Sequence, residues 1–222
     1  MSHFVEAPLN VDLREDFTIL AWAFCRDRSQ WRSIISFESP QVSTSLLTLT
    51  LPPSHKPSIP HVAYMTGARP SDFGTLQGQM EVPMNVWFHV AAVFKAGVVT
   101  STLELYVNGE EGGSMRVEDR WIFNAKDISV VLGSSTINNN PAWQWSGSMT
   151  DVYVYQASMT KEQIAGLMAE GSLPRVRSVP LGLAQFDASP ETSEGMSPPG
   201  AITPSLWQSN PTPFIFSGGV SK

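Results

Sequence analysis

The sequence is poor in cysteine: Cys25 is the only one among 222 residues. An internal disulfide framework is therefore excluded, and a reducing compartment is the expectation. A lone cysteine in an apolar strand reads as a small buried side chain rather than a reactive thiol. Long apolar runs are missing too. No eighteen consecutive apolar residues occur, so no helix is expected to span a membrane. The opening residues, MSHFVEAPLNVDLRED, carry neither the basic start nor the apolar core of a secretory leader. The expected setting is intracellular: the cytoplasm, or a cytoskeletal or organellar assembly. Cations are scarce, with 14 Lys and Arg against 20 Asp and Glu and a formal charge of −6. Phosphate neutralisation needs clustered cations, so a nucleic-acid partner is not expected. Nor is there a G-x-S-x-G elbow, a Gly-rich phosphate loop or a Cys/His pair with nucleophile logic. The expectation is a protein that is not an enzyme.

What the chain does have is β-patterning, clearest in Trp87 to Gly109 (WFHVAAVFKAGVVTSTLELYVNG). Trp87, His89, Ala91 and Val93 point one way and Phe88, Val90, Ala92 and Phe94 the other. Both sets are largely apolar, which predicts a central strand covered on both faces. His89 is then expected to be a buried structural histidine. Lys95-Ala96-Gly97 can turn the chain, and Leu103, Leu105 and Val107 alternate with Thr102, Glu104 and Tyr106 on the return. Asn108-Gly109 tolerates positive φ, so a third strand should follow; a Gly-rich turn is expected over 109–113, then a strand at Ser114 to Val117.

Other runs fit the same pattern. Strands are expected within residues 3–13 and at 17–25, 33–38, 45–51, 61–66, 75–82 and 128–132, with a loop at 134–142. Residues 52–60 hold four prolines and cannot be a central strand. Trp143 to Tyr155 reads as a strand with a parity fault, because Met149, Val152 and Val154 all want the core. One extra residue near Thr150-Asp151, a β-bulge, would repair it. A single short helix follows: Thr160 and Gln163 form a capping box, Met159 and Ile164 a hydrophobic staple, Ile164, Leu167 and Met168 an apolar stripe, and Gly171 a C-terminal cap. Many short strands between turn signals make an all-β sandwich.

Beyond residue 171 the texture changes. Residues 172–222 hold eight prolines among many Ser, Gly and Thr. The division is a β-sandwich domain over 1–171 and an extended Pro-rich arm over 172–222. Spaced apolar residues, namely Leu206, Trp207, Phe214, Ile215 and Phe216, make the arm a docking segment for other protein subunits, because proline lowers the entropy lost on binding.

WFHVAAVF, LELYVNG, VVLGSS and WSGSMTDVYVYQASMTKEQIAGL, in that order, resemble the concanavalin A-like lectin/glucanase superfamily, and within it the laminin-G-like modules. Trp87, His89, Val90 and Ala91 carry the first motif, and Leu105 to Gly109 the second. Gly147, Met149, Asp151, Val152, Val154 and Tyr155 carry the third, and Thr160, Gln163 and Ile164 the helix start. The resemblance covers residues 3–171 and implies a two-sheet antiparallel jelly-roll sandwich with one short C-terminal helix ahead of the Pro-rich tail. Hydrolases of that superfamily carry a strand motif E-x-D-x-x-E, which is missing here; Glu104 stands alone.

Two functions remain. One is a non-catalytic interaction module, a structural subunit docked into a larger intracellular assembly through the arm. The other is a lectin-like carbohydrate binder. A sugar site needs aromatic platforms beside planar polar groups. Trp143 and Trp145, two apart and so on one strand face, stand beside Asn138, Asn139, Asn140 and Gln144 and form the best glycan patch. Core packing is the competing role for both indoles. Arg26, Arg28 and Arg32 near Trp31 read as a solvated basic loop. No cofactor is expected. Calcium would need six to eight oxygens, and Asp72, Asp127, Asp151 and Asn138-Asn139-Asn140 are the scattered candidates.

Overall fold

The computed structural model describes residues 5–8, 11–53, 58–66, 72–117, 127–137, 140–169 and 186–187. Two antiparallel sheets face each other. The first holds β1 (Val5–Pro8), β3 (Arg32–Glu38), β4 (Leu47–Leu51), β5 (His61–Met65), β6 (Phe73–Gln77) and β10 (Ser129–Leu132), in the order β1-β10-β3-β4-β5-β6. The second holds β2 (Phe17–Cys25), β7 (Trp87–Lys95), β8 (Ser101–Val107), β9 (Glu110–Val117), β13 (Gly147–Tyr155) and the two-residue β14 (Phe186–Asp187), in the order β14-β13-β2-β7-β8-β9. A small hairpin, β11 (Ser135–Ile137) with β12 (Asn140–Ala142), is a separate two-stranded ladder. One helix, α1 (Lys161–Ala169), follows β13.

The core lies between the sheets. Alternate residues of β2 (Phe17, Ile19, Ala21, Ala23, Cys25) meet Phe88, Val90, Ala92 and Phe94 of β7 and Leu47, Leu49 and Leu51 of β4 in one cluster. Phe17 stacks on Phe94 at 5.1 Å and tilts against Phe37 at 5.9 Å, joining the two sheets. Cys25 is buried within this cluster, and loss of water pushes its thiol pKa up, as expected of an inert cysteine.

β7 is central and covered on both faces, as its double apolar pattern requires. Its outward residues Ala91 and Val93 join Leu20, Tyr106, Tyr153 and Tyr155 in a second cluster beneath Met159 and Ile164, at the start of α1. The capping box forms: the Thr160 N–H donates to Gln163 Oε1 at 2.9 Å and the Gln163 N–H to Thr160 Oγ1 at 3.3 Å. The β-bulge is present as well, since the β13 register slips between Thr150 and Tyr153 and Asp151 takes φ +50°.

Several boundaries differ from the sequence reading. The β8–β9 turn is Asn108-Gly109 alone, with φ of +51° and +80°, and β9 starts at Glu110; the glycines at 112 and 113 sit in the strand, beside a register shift. β6 runs over 73–77 rather than 75–82. The stretch 134–142 holds the β11–β12 hairpin. Most consequential, β13 begins at Gly147, not Trp143. Trp143 has φ +52°, which breaks the extended run, and Gly147 has φ +145° with its backbone so close to Phe24 that a Cβ would lie 1.8 Å from that carbonyl oxygen.

Candidate functional site

The outward face of the first sheet is built from small hydroxyl residues. In β4 the three leucines take the core, so Thr48 and Thr50 turn outward. Across the pairing Ser36 lies opposite Thr48 and Ser33 opposite Thr50. All four are buried, and the β11–β12 hairpin is bonded to this bed. Ser33 Oγ lies 3.0 Å and Ser36 Oγ 2.9 Å from the Ser134 carbonyl oxygen, while Ser45 and Thr136 exchange two bonds of 2.8 Å.

The segment after the hairpin is held as firmly. The Ser33 N–H donates to the Trp143 carbonyl at 2.6 Å, and the Trp145 N–H to that of Gly133 at 2.8 Å. Arg32 reaches across with Nη1 2.7 Å from the Gln144 carbonyl and Nε 2.8 Å from that of Asp27, and its guanidinium pairs with the Asp27 carboxylate. Arg28 likewise turns inward, donating to the Val82 carbonyl at 2.9 Å. The basic loop of the sequence reading is therefore an inward scaffold: Arg28 and Arg32 are buried because backbone carbonyls and Asp27 replace their water.

These bonds bring Trp143 onto Trp31. The two indoles stack with centroids 5.2 Å apart and planes 26° from parallel, and His61 of β5 tilts against Trp31 at 5.6 Å. All three rings keep part of their surface in water. His61 lies opposite Thr50 on one side and Gln77 on the other, so the shelf crosses the sheet towards its exposed edge strand β6. Partial burial lowers the His61 pKa, disfavouring the charged ring. Chemically this is an apolar, π-rich shelf.

The sequence-predicted residues disperse accordingly. Trp143 is on the shelf. Trp145 is not its neighbour on a strand face: it packs against the core with its indole N–H enclosed. Gln144 contributes its carbonyl to Arg32, and Asn140 is exposed at the start of β12. Asn138 and Asn139 lie outside the described residues, as do Leu206, Trp207, Phe214, Ile215 and Phe216 of the arm. Asp72 precedes β6 in one sheet and Asp151 sits in the bulge of the other. Among the described residues no three His, Cys, Asp or Glu side chains are grouped to hold a metal ion. Glu104 bonds Lys95 at 2.5 Å and the Tyr106 hydroxyl at 2.8 Å. Trp31 and His61 were missed as shelf members; the available signal was a tryptophan directly before a strand, where a ring can overhang the sheet.

Comparison with known proteins agrees with the architecture. A laminin G family model of the Concanavalin A-like lectin/glucanases superfamily matches residues 2–165. A carbohydrate-binding module, the CBM40 of Ruminococcus gnavus IT-sialidase solved with alpha2,3 sialyllactose, superposes with a TM-score of 0.56 at 17% identity, over 74% of this chain and 94% of that one. The heptameric SAP-like pentraxin of Limulus polyphemus gives 0.55 at 17% identity, over 74% of each chain. The receptor binding domain of botulinum neurotoxin C/D mosaic serotype gives 0.53 at 15% identity, over 75% of this chain and 41% of that one. At such identities the likeness is one of fold. No curated protein matches the chain.

Proposed function

The chain belongs to the concanavalin A-like lectin/glucanase superfamily, and from that premise we propose that it is a non-catalytic, lectin-like domain that binds a glycan on the Trp31–Trp143–His61 shelf. The observation that carries this reading is the stacked, partly exposed indole pair on the outward face of the first sheet. A pyranose has one face rich in C–H groups, and that face is desolvated favourably on an aromatic plane while hydroxyls at the ring edge seek planar polar groups. Gln77, opposite His61 on the edge strand β6, is the candidate for such a group. That a carbohydrate-binding module shares the fold, and was solved with a sialylated sugar, supports the reading.

The test is a glycan array followed by calorimetry on the best sugar, with wild type, Trp143→Ala and Trp31→Ala. Each truncation should weaken binding about tenfold or more, which corresponds to ~1.4 kcal/mol, with the thermal transition retained. A wild type that binds no glycan would sink the proposal. So would two variants that bind as well as wild type.

A further inference from the structure

Beneath the hairpin lies a carboxylate, that of Glu38. Glu38 closes β3, and its Oε1 lies 2.5 Å from Ser36 Oγ and 2.6 Å from Ser45 Oγ. Thr136 of β11 donates to it as well. Loss of water is the largest influence on this group and pushes its pKa up, against the pull of the hydrogen bonds. A carboxylate enclosed without partners is strongly destabilising. Here the partners come from three separate places: β3 itself, the link before β4, and β11.

Proton counting gives the network one arrangement. Ser36 and Ser45 each have one hydroxyl proton, and the ionised carboxylate takes both. Ser45 Oγ is then free to accept the Thr136 N–H at 2.8 Å, and the Ser134 carbonyl is served by Ser33 Oγ. So the acceptor oxygen of Glu38 decides which way two hydroxyls point. Of the two, the Ser45 hydroxyl holds β11 through the Thr136 N–H, and its partner strand β12 runs directly into Trp143.

We infer that Glu38 is the positioning residue of the glycan shelf: through Ser45 and Thr136 it fixes the β11–β12 hairpin, and with it the stacking of Trp143 on Trp31. The inference rests on the proposed function for its consequence in binding, but the stacking itself can be measured without any sugar. Two indoles at this separation couple electronically and produce an exciton couplet in circular dichroism. Trp143→Ala, which must abolish that couplet, identifies it.

The experiment compares wild type, Glu38→Ala and Glu38→Gln in the full chain. Glu38→Ala should lose at least half of the couplet and weaken the sugar found for wild type about tenfold, while keeping a cooperative thermal transition. Glu38→Gln retains an oxygen acceptor for both hydroxyls and should restore couplet and affinity. Ser45→Ala serves where Glu38→Ala does not fold, and should lose the couplet in the same way. A full couplet in Glu38→Ala or Ser45→Ala would overturn the inference, as would a Gln variant as impaired as the Ala one. If wild type binds no glycan the proposed function fails, and the couplet still decides whether Glu38 positions Trp143.

Discussion

His89 offers a quantitative check on the packing of the second sheet. Its ring is 1% exposed, edge-on to Trp22 at 5.5 Å, and its Nδ1 has no hydrogen-bond partner. Burial alone depresses its pKa from 6.5 to about 4. The sign follows from which state binds the proton. As pH falls below the unfolded value, the unfolded chain takes up a proton that the folded chain refuses until near pH 4. Stability from this group is therefore full above the unfolded pKa and is lost on descending towards the folded one. Between about pH 7.5 and pH 4.5 the loss amounts to about 2.5 kcal/mol, with a ceiling of ~3.4 kcal/mol.

Other groups also bind protons differently in the folded chain and must be removed from the comparison. Burial raises the pKa values of Glu38 and Asp151, so these two add stability as pH falls. Asp27, lowered chiefly by the Ser29 N–H, loses stability as pH falls. Subtracting His89→Phe from wild type cancels these terms. The assay is urea unfolding followed by tryptophan fluorescence at both pH values. The wild-type free energy should fall about 2.5 kcal/mol further than that of the variant. Nitrogen NMR of the imidazole should show it neutral at about pH 5. Equal losses in the two proteins, or a midpoint near 6.5, would refute the burial argument.

Two further predictions concern stability. Thr160→Ala removes one half of the capping box and should lower the unfolding free energy by about 1 kcal/mol; Thr160→Ser should restore most of it in the same denaturation assay. Phe17→Ala deletes the ring that links Phe94 to Phe37 between the sheets and should cost about 3–5 kcal/mol, against less than about 1.5 kcal/mol for a volume-conserving core exchange such as Leu49→Met.

The fold was legible where one local rule sufficed. The double apolar pattern of β7, the parity fault that forced the bulge at Asp151 and the Thr160–Gln163 box each lie within a few residues and have a single physical solution. The shelf was not legible, because it depends on long-range closure. Trp31 and Trp143 belong to different loops, and the agents that bring them together are Arg32 on the Gln144 carbonyl and Ser33 on the Trp143 carbonyl. Backbone carbonyls leave no trace in residue identity. The positive φ of Trp143 is equally silent, since a tryptophan gives no hint of a left-handed position, whereas Asn108 before Gly109 does. Extending the strand through Trp143 and Trp145 was the natural reading, and it put two indoles on one face that the folded chain sends to different places.

The pairing order carries a consequence for how the chain comes into being. Among the described residues β1 pairs with β10 alone, and β2 lies between β7 and β13. A ribosome that has delivered the first half of the sequence has thus made strands whose partners do not yet exist. Each sheet waits for a segment from far downstream, and contacts of such wide sequence separation are the slow ones to form. Until Tyr155 has emerged, the apolar edge of β2 stands open. The β3–β6 and β7–β9 meanders pair between neighbours in sequence, whereas closing β1 and the free side of β2 needs segments made much later.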